Sequence, residues 1–131
     1  MAVKIHESRE NYLEAILVLG RKHGYVRSVD IANYLEFSKP SVSVAMANLR
    51  AAQLIEVDPL GGIHLTQAGQ ALAEQVYERH TVLSNLLMHL GVDEQTAGED
   101  ACRVEHVLSE QSFEAIKHLA RRVEEKGIEG V

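Results

Sequence analysis

Apolar positions recur every three to four residues along most of this chain, and β-forming runs replace that rhythm only between residues 54 and 65. Over 8–23, Leu13, Ile16, Leu17 and Gly20 fall at i, i+3, i+4 and i+7, which predicts an amphipathic helix. Glu7 and Glu10 suit its positive N-terminal end, and Lys22 and His23 its negative C-terminal end. Gly24 can take the left-handed conformation that closes it. A short second helix is expected over 28–35, with Ser28 as N-cap and Ile31, Ala32 and Leu35 inward. A tight turn at Phe37-Ser38 leads to a third helix starting at Ser38, with Pro40 in its first turn, where a missing N–H costs nothing. Its inner stripe is Val42, Ala45, Met46 and Leu49, while Lys39, Ser41, Ser43 and Asn48 point elsewhere. Two short strands, Leu54–Val57 and Ile63–Leu65, flank Asp58-Pro-Leu-Gly-Gly62, whose Pro and paired Gly mark a hairpin. Three helices followed by a hairpin is the order of a winged helix-turn-helix, a fold used for DNA and also for protein contacts.

The remainder predicts three more helices. Thr66 caps a long one reaching about Leu90, with Leu72, Val76, Leu83 and Leu87 along one side, and Gly91 ends it. Asp93 caps a fifth reaching about Leu108, and Ser112 starts a sixth carrying Phe113, Ile116, Leu119 and Val123. A segment of about 60 residues buries little surface alone, so these apolar residues, with Val107, are expected to complete a homodimer. The fold class expected is therefore mainly α: an N-terminal winged helix-turn-helix over 1–70 and a C-terminal helical dimerisation domain over 71–131.

Composition sharpens this in three ways. Apolar residues make up 46% of the 131, enough for one generous core or two small ones, with no low-complexity run. No stretch approaches the roughly 18 uninterrupted apolar residues of a membrane helix, and the N-terminus lacks a signal-peptide core. Together with a single cysteine, Cys102, this leads us to expect a cytoplasmic protein with no membrane partner. The net charge of −6 opposes nucleic-acid binding until it is divided: residues 1–65 hold seven cations and seven acids, residues 66–131 six cations and twelve acids. Phe37 to Ile55 contains Lys39 and Arg50 and no acid. Phosphates are neutralised locally, so a DNA-facing N-terminal half and an acidic, cation-binding C-terminal half are both permitted.

Cys102, Glu105 and His106 stand at i, i+3 and i+4, which puts a thiolate, a carboxylate and an imidazole within about 100° of helix face. That is the donor set of a transition-metal half-site. The plainer reading is a buried free cysteine beside a solvated Glu-His pair. His80 interrupts an apolar stripe between Val76 and Leu83, as a satisfied core histidine also would. Glu14 lies at the edge of the first helix's stripe with Asn11 one turn earlier, and taken alone reads as a solvated edge residue. Buried carboxylates are expensive unless paired or metal-bound, and three helices each offer an inward polar group wanting a partner.

Several segments resemble the diphtheria toxin repressor and manganese transport regulator family of metal-activated repressors. They are Glu10-Asn-Tyr-Leu-Glu-Ala-Ile16, Val29-Asp-Ile-Ala32, Pro40-Ser-Val-Ser43, Gly62-Ile-His-Leu-Thr66 with Gly69, Arg79-His80 and Ala101-Cys-Arg-Val-Glu-His-Val-Leu-Ser109. The resemblance covers essentially the whole chain, and the last segment is the most specific. It implies a divalent metal held between the first helix and the helical domain. Carried over, the ligands are Glu14, His80, Cys102, Glu105 and His106, with Asn11 a further candidate. Asn11 stands where the family usually has an acid or Met. Cys102 matches the iron-type branch and Glu14 the manganese type, so the site reads as a hybrid. Ser84 and Gly98 occupy positions where the iron type has second-site ligands. With the sequence ending at Val131, the SH3-like third domain common in iron-type members is not expected.

The function this implies is a non-enzymatic, DNA-binding transcriptional repressor of metal homeostasis, activated by Fe(II) or Mn(II), with Zn(II) or Co(II) acting in vitro. Its partners are a double-stranded operator and a second copy of itself. Metal clamps the two domains and sets the spacing of two recognition helices on successive major-groove half-sites. Ser38, Lys39, Pro40, Ser41 and Ser43 approach the DNA, cations positioning the protein and short polar side chains reading bases. Two other classes stay open: a winged-helix regulator sensing an oxidant or organic ligand, with Cys102 as sensor thiol, and a small zinc hydrolase with His80, Cys102 and His106 as ligands and Glu105 as base.

Overall fold

A computed structural model describes residues 9–130. Its elements are α1 Arg9–His23, α2 Ser28–Leu35, α3 Lys39–Ala51, β1 Ile55–Val57, β2 Ile63–Leu65, α4 Gln67–His89, α5 Glu94–Val104 and α6 Glu110–Lys126, with a 3-10 turn at Ile128–Gly130. The chain forms two compact units that divide within α4, between Gln75 and Val76. Among the described residues no helix is long and apolar enough to cross a membrane.

The N-terminal unit is built around α1, which buries Tyr12, Leu13, Ala15, Ile16, Leu17 and Leu19 against Ile31 of α2 and Val42, Met46 and Leu49 of α3. Phe37 meets Tyr12 edge to face at 5.8 Å. Helix ends follow local chemistry. Gly24, at φ +81°, closes α1 with its N–H on the Gly20 carbonyl. The N-cap of α2 is Arg27, one residue before the expected Ser28, because the Asp30 carboxylate reaches back to the Arg27 N–H at 2.9 Å. Ser38 caps α3 by accepting from the Ser41 N–H at 3.2 Å.

The wing is a two-stranded antiparallel sheet pairing Ile55 with Leu65, Glu56 with His64 and Val57 with Ile63. It is pinned to the helices where the Ile63 N–H donates to the Val26 carbonyl at 2.7 Å. Thr66 then acts twice: its hydroxyl donates to the Gln53 carbonyl and accepts from the Gly69 N–H, opening α4. Gly69 is obligatory here, since a Cβ would collide with the Leu54 carbonyl.

In the C-terminal unit Val76, Leu83, Ala97, Ala101, Phe113, Ala120 and Val123 are buried. Asp93 caps α5 and Ser109 caps α6, accepting from Thr96 and Ser112 respectively. Two expectations change. The fifth helix ends at Val104, not near Leu108, and the sixth starts at Glu110, not Ser112. Phe113 and Val123, expected to need a partner subunit, are 5% and 1% exposed within the single chain; of the residues expected at a dimer surface, Val107 is exposed at 77% and Leu72 at 38%.

Candidate metal centre and nucleic-acid interface

The end of α5 brings the expected metal donors together. Because the helix stops at Val104, Glu105 is its C-cap and His106 lies in the turn that follows. The turn is held from outside. The Arg79 guanidinium, on α4, donates through one nitrogen to the Glu105 carbonyl at 3.0 Å and to the Leu108 carbonyl at 2.9 Å. Its carbon lies 5.0 Å from the centre of the Phe113 ring. The C-cap carbonyl of α5 and the Leu108 carbonyl beyond the helix thus share a charged donor, and the ligand-bearing turn is fixed to α4.

Glu105 is the anomaly of the unit: its side chain has no exposure at all. His80 Nδ1 approaches one carboxylate oxygen at 3.2 Å and His106 Nε2 the other at 3.3 Å. Neither approach has the direction of a hydrogen bond, so among the described residues both oxygens are buried without one. A buried carboxylate in this state costs several kcal/mol unless charge compensates it. Donor atoms of Cys102, Glu105 and His106 all lie within 4.8 Å of one another, the spacing of ligands around one ion. Thiolate, carboxylate and two imidazoles are the ligands of Zn(II), Fe(II), Co(II) or Mn(II), and a cation would supply what the buried carboxylate lacks. The residues fit a metal. Glu14 and Asn11 belong to α1 in the N-terminal unit, Glu14 half-buried and Asn11 3% exposed. Ser84 and Gly98 are half-buried on α4 and α5.

On α3, Lys39, Pro40 and Ser43 are exposed, and Ser41 is half-buried. Ser38 and Ser41 are bonded to each other, the Ser38 hydroxyl donating to Ser41 Oγ at 2.9 Å as well as capping the helix. Both are thereby committed to building the helix start. Two further residues of this helix, Val44 and Arg50, are exposed although the sequence pattern does not single them out for DNA. An apolar residue two places from Val42 reads as core, and only the helix phase separates the two.

The wing is preorganised by Asp58. Its carboxylate accepts from the Leu60 and Gly62 N–H groups at 2.9 and 2.8 Å and from the Tyr25 hydroxyl at 2.9 Å, and meets His64 Nε2 at 2.8 Å. The His64 bond first, then the Gly62 N–H, hold the Asp58 carboxyl well below its usual range, so it stays ionised at neutral pH. Partial loss of water, then the Asp58 bond, push the Tyr25 phenol upward. Arg27 stacks on the Tyr25 ring at 5.1 Å. The sequence marks Asp58 only as a turn residue; its position two before Leu60, in an Asx-type turn, is the signal that could have found this role.

A winged helix-turn-helix followed by a helical unit with a cysteine–carboxylate–imidazole cluster around the buried Glu105 defines the class of metal-sensing DNA-binding regulators. Residues 4–63 match the family model described as iron dependent repressor, N-terminal DNA binding domain, and residues 66–127 the one described as iron dependent repressor, metal binding and dimerisation domain. The transcriptional regulator MntR of Escherichia coli is 38% identical over 86% of this chain and 73% of its own length. Among solved structures, the manganese regulator SloR superposes with a TM-score of 0.78 at 29% identity, and ScaR with bound Zn2+ with 0.72 at 28%. Each alignment covers 87% of this chain, which spans 54% of the length of those two structures. The chain belongs to the iron-dependent repressor family of metal-dependent transcriptional regulators.

Proposed function

We propose that this protein is a homodimeric repressor of metal homeostasis that binds operator DNA when a divalent transition metal occupies the Cys102–Glu105–His106 cluster. Residues 1–70 read DNA, and residues 71–131 sense the metal and dimerise. The observation that carries this reading is Glu105, a fully buried carboxylate facing two imidazoles without a hydrogen bond. His80, Cys102, Glu105 and His106 would hold the ion, with Glu14 as a further ligand and Asn11 beside it, as the family resemblance implies. The bound metal supplies positive charge and Lewis acidity at this point. Arg79 fixes the turn carrying Glu105 and His106, so the donors are placed before the ion arrives. On the DNA side, Ser38 and Ser41 shape the start of α3, Lys39 contacts phosphate, and Pro40 and Ser43 approach bases.

Metal identity rests on the donor set. A thiolate favours Fe(II), Co(II) or Zn(II) over Mn(II), while the carboxylates keep Mn(II) accessible. The chemistry is regulatory binding with no turnover, in a cytoplasmic protein. The deciding experiment measures DNA binding of the full chain to a randomised duplex library against anaerobic titrations of Mn(II), Fe(II) and Zn(II). Metal-dependent retention of duplex is expected. Equal retention with a chelator present, or release governed by oxidation of Cys102, would replace metal sensing with oxidant sensing.

A further inference from the structure

The recognition helix carries an unexplained residue. Val44 is 62% exposed in the middle of α3, although a β-branched side chain lowers helix propensity and gains nothing from burial there. Its place on the helix is informative. Successive residues turn by about 100°, so with Val42 facing the core, Val44 lies about 200° away, Pro40 about 160° and Ala47 about 140°. Lys39 and Arg50 sit on one flank, at about 60° and 80°. Pro40, Val44 and Ala47 are all exposed, and none can donate or accept a hydrogen bond through its side chain. The most outward line of the helix is apolar, and its cations stand to the side.

That arrangement matches a major groove. Cations along one flank suit the phosphates of one strand, and the apolar ridge beside them suits the one apolar group the groove presents, the thymine 5-methyl. Resting on the repressor reading above, we propose that Val44 is a specificity-determining residue that reads a thymine methyl group in each operator half-site. Ala47, one turn on, leaves the helix room to sit close. Base preference at that position then comes from apolar contact instead of the hydrogen bonds expected of Ser43.

The test uses the full chain loaded with Mn(II), and again with Fe(II) under anaerobic conditions. Duplexes enriched from a randomised library serve as probes. Enriched sites should share A·T pairs at symmetric positions. Replacing those thymines one at a time by deoxyuridine removes only the methyl group. At one symmetric position the parent should lose about fourfold in affinity per methyl, the worth of one buried methyl group. Val44→Ala should bind the thymine duplex more weakly and be indifferent to deoxyuridine at that position alone. Parent affinity unchanged by every deoxyuridine, or Val44→Ala as sensitive as the parent at every position, would overturn the inference while leaving DNA binding intact. Enrichment of no duplex with either metal would overturn the repressor reading and this inference together.

Discussion

The two units solve opposite problems with the same secondary structure. In the N-terminal unit α1, α2, α3 and the wing close around Leu13, Ile31, Val42 and Ile55, each 2% exposed or less, and Asn11 is the buried polar residue of that unit among the described residues. In the C-terminal unit the buried residues include three alanines, Ala97, Ala101 and Ala120, and a carboxylate, Glu105. The first unit is complete as an apolar core. The second encloses Glu105 at a free-energy cost that a cation would offset. A domain that reads DNA needs a rigid surface whatever the metal concentration, whereas a sensor needs a site whose stability depends on the ligand. Among the described residues the enclosed carboxylate belongs to the C-terminal unit, which suits both needs.

The largest break in that asymmetry is Glu105→Gln. Removing the charge while keeping the shape should lower metal affinity by at least about a hundredfold, beyond what loss of a supporting partner costs a metal site. It should leave the metal-free chain no less stable, because the buried charge disappears. Calorimetric metal titration and thermal unfolding with chelator check the two halves. A metal-free variant markedly less stable than the parent would make Glu105 a structural ion-pair residue.

Cys102 sharpens the contrast by asking which cation the unit awaits. Cys102→Glu should shift selectivity towards manganese, since it exchanges a soft donor for a hard one. Cys102→Ala should weaken activation by every metal. Anaerobic metal-dependent DNA binding by the three proteins gives the ranking. If Cys102→Ala responds to each metal as the parent does, the cysteine is packing and the ligand set is wrong.

A smaller effect is expected at Arg79, which touches the turn and not the site. Arg79→Met keeps the apolar stem but leaves two carbonyls without their charged donor, at a cost of about 2–3 kcal/mol. Affinity should fall by about tenfold for all metals with their ranking unchanged, read by competition titration. A changed ranking would place Arg79 in the selectivity of the site itself.

Arg79 also marks the limit of what the sequence discloses. The helices and hairpin of the N-terminal unit are legible because caps, glycines and apolar period lie within a few residues of one another. The ends of α5 and α6 are not, because α5 is terminated by a guanidinium 26 residues earlier in the chain. Ser109 outcompetes Ser112 as N-cap once the helix has stopped, since its hydroxyl is then free to take the Ser112 N–H. In the site, the spacing of Cys102, Glu105 and His106 is visible in sequence, but the complete burial of Glu105 is not, since acids on amphipathic helices are ordinarily solvated. Val44 is hidden for the opposite reason: its chemistry suggests core, and only its phase places it outside.

The smallest expected effect tests the N-terminal side of the comparison, at Lys39. This lysine is exposed on the first residue of α3, beside the positive end of the helix dipole, with no acid between Phe37 and Ile55 to oppose it. A cation so placed attracts phosphate without reading bases, and its contribution comes from counterions released on binding. Lys39→Ala should therefore weaken every duplex by a similar factor and leave the preferred sequence unchanged. The slope of log affinity against log salt should become shallower by about 0.9 for each phosphate that is no longer neutralised, once per subunit. Val44→Ala predicts the reverse, an altered sequence preference at an unaltered slope. Salt titrations of both variants on the same duplexes separate positioning from reading on one helix, and an unchanged slope for Lys39→Ala would remove that residue from the interface.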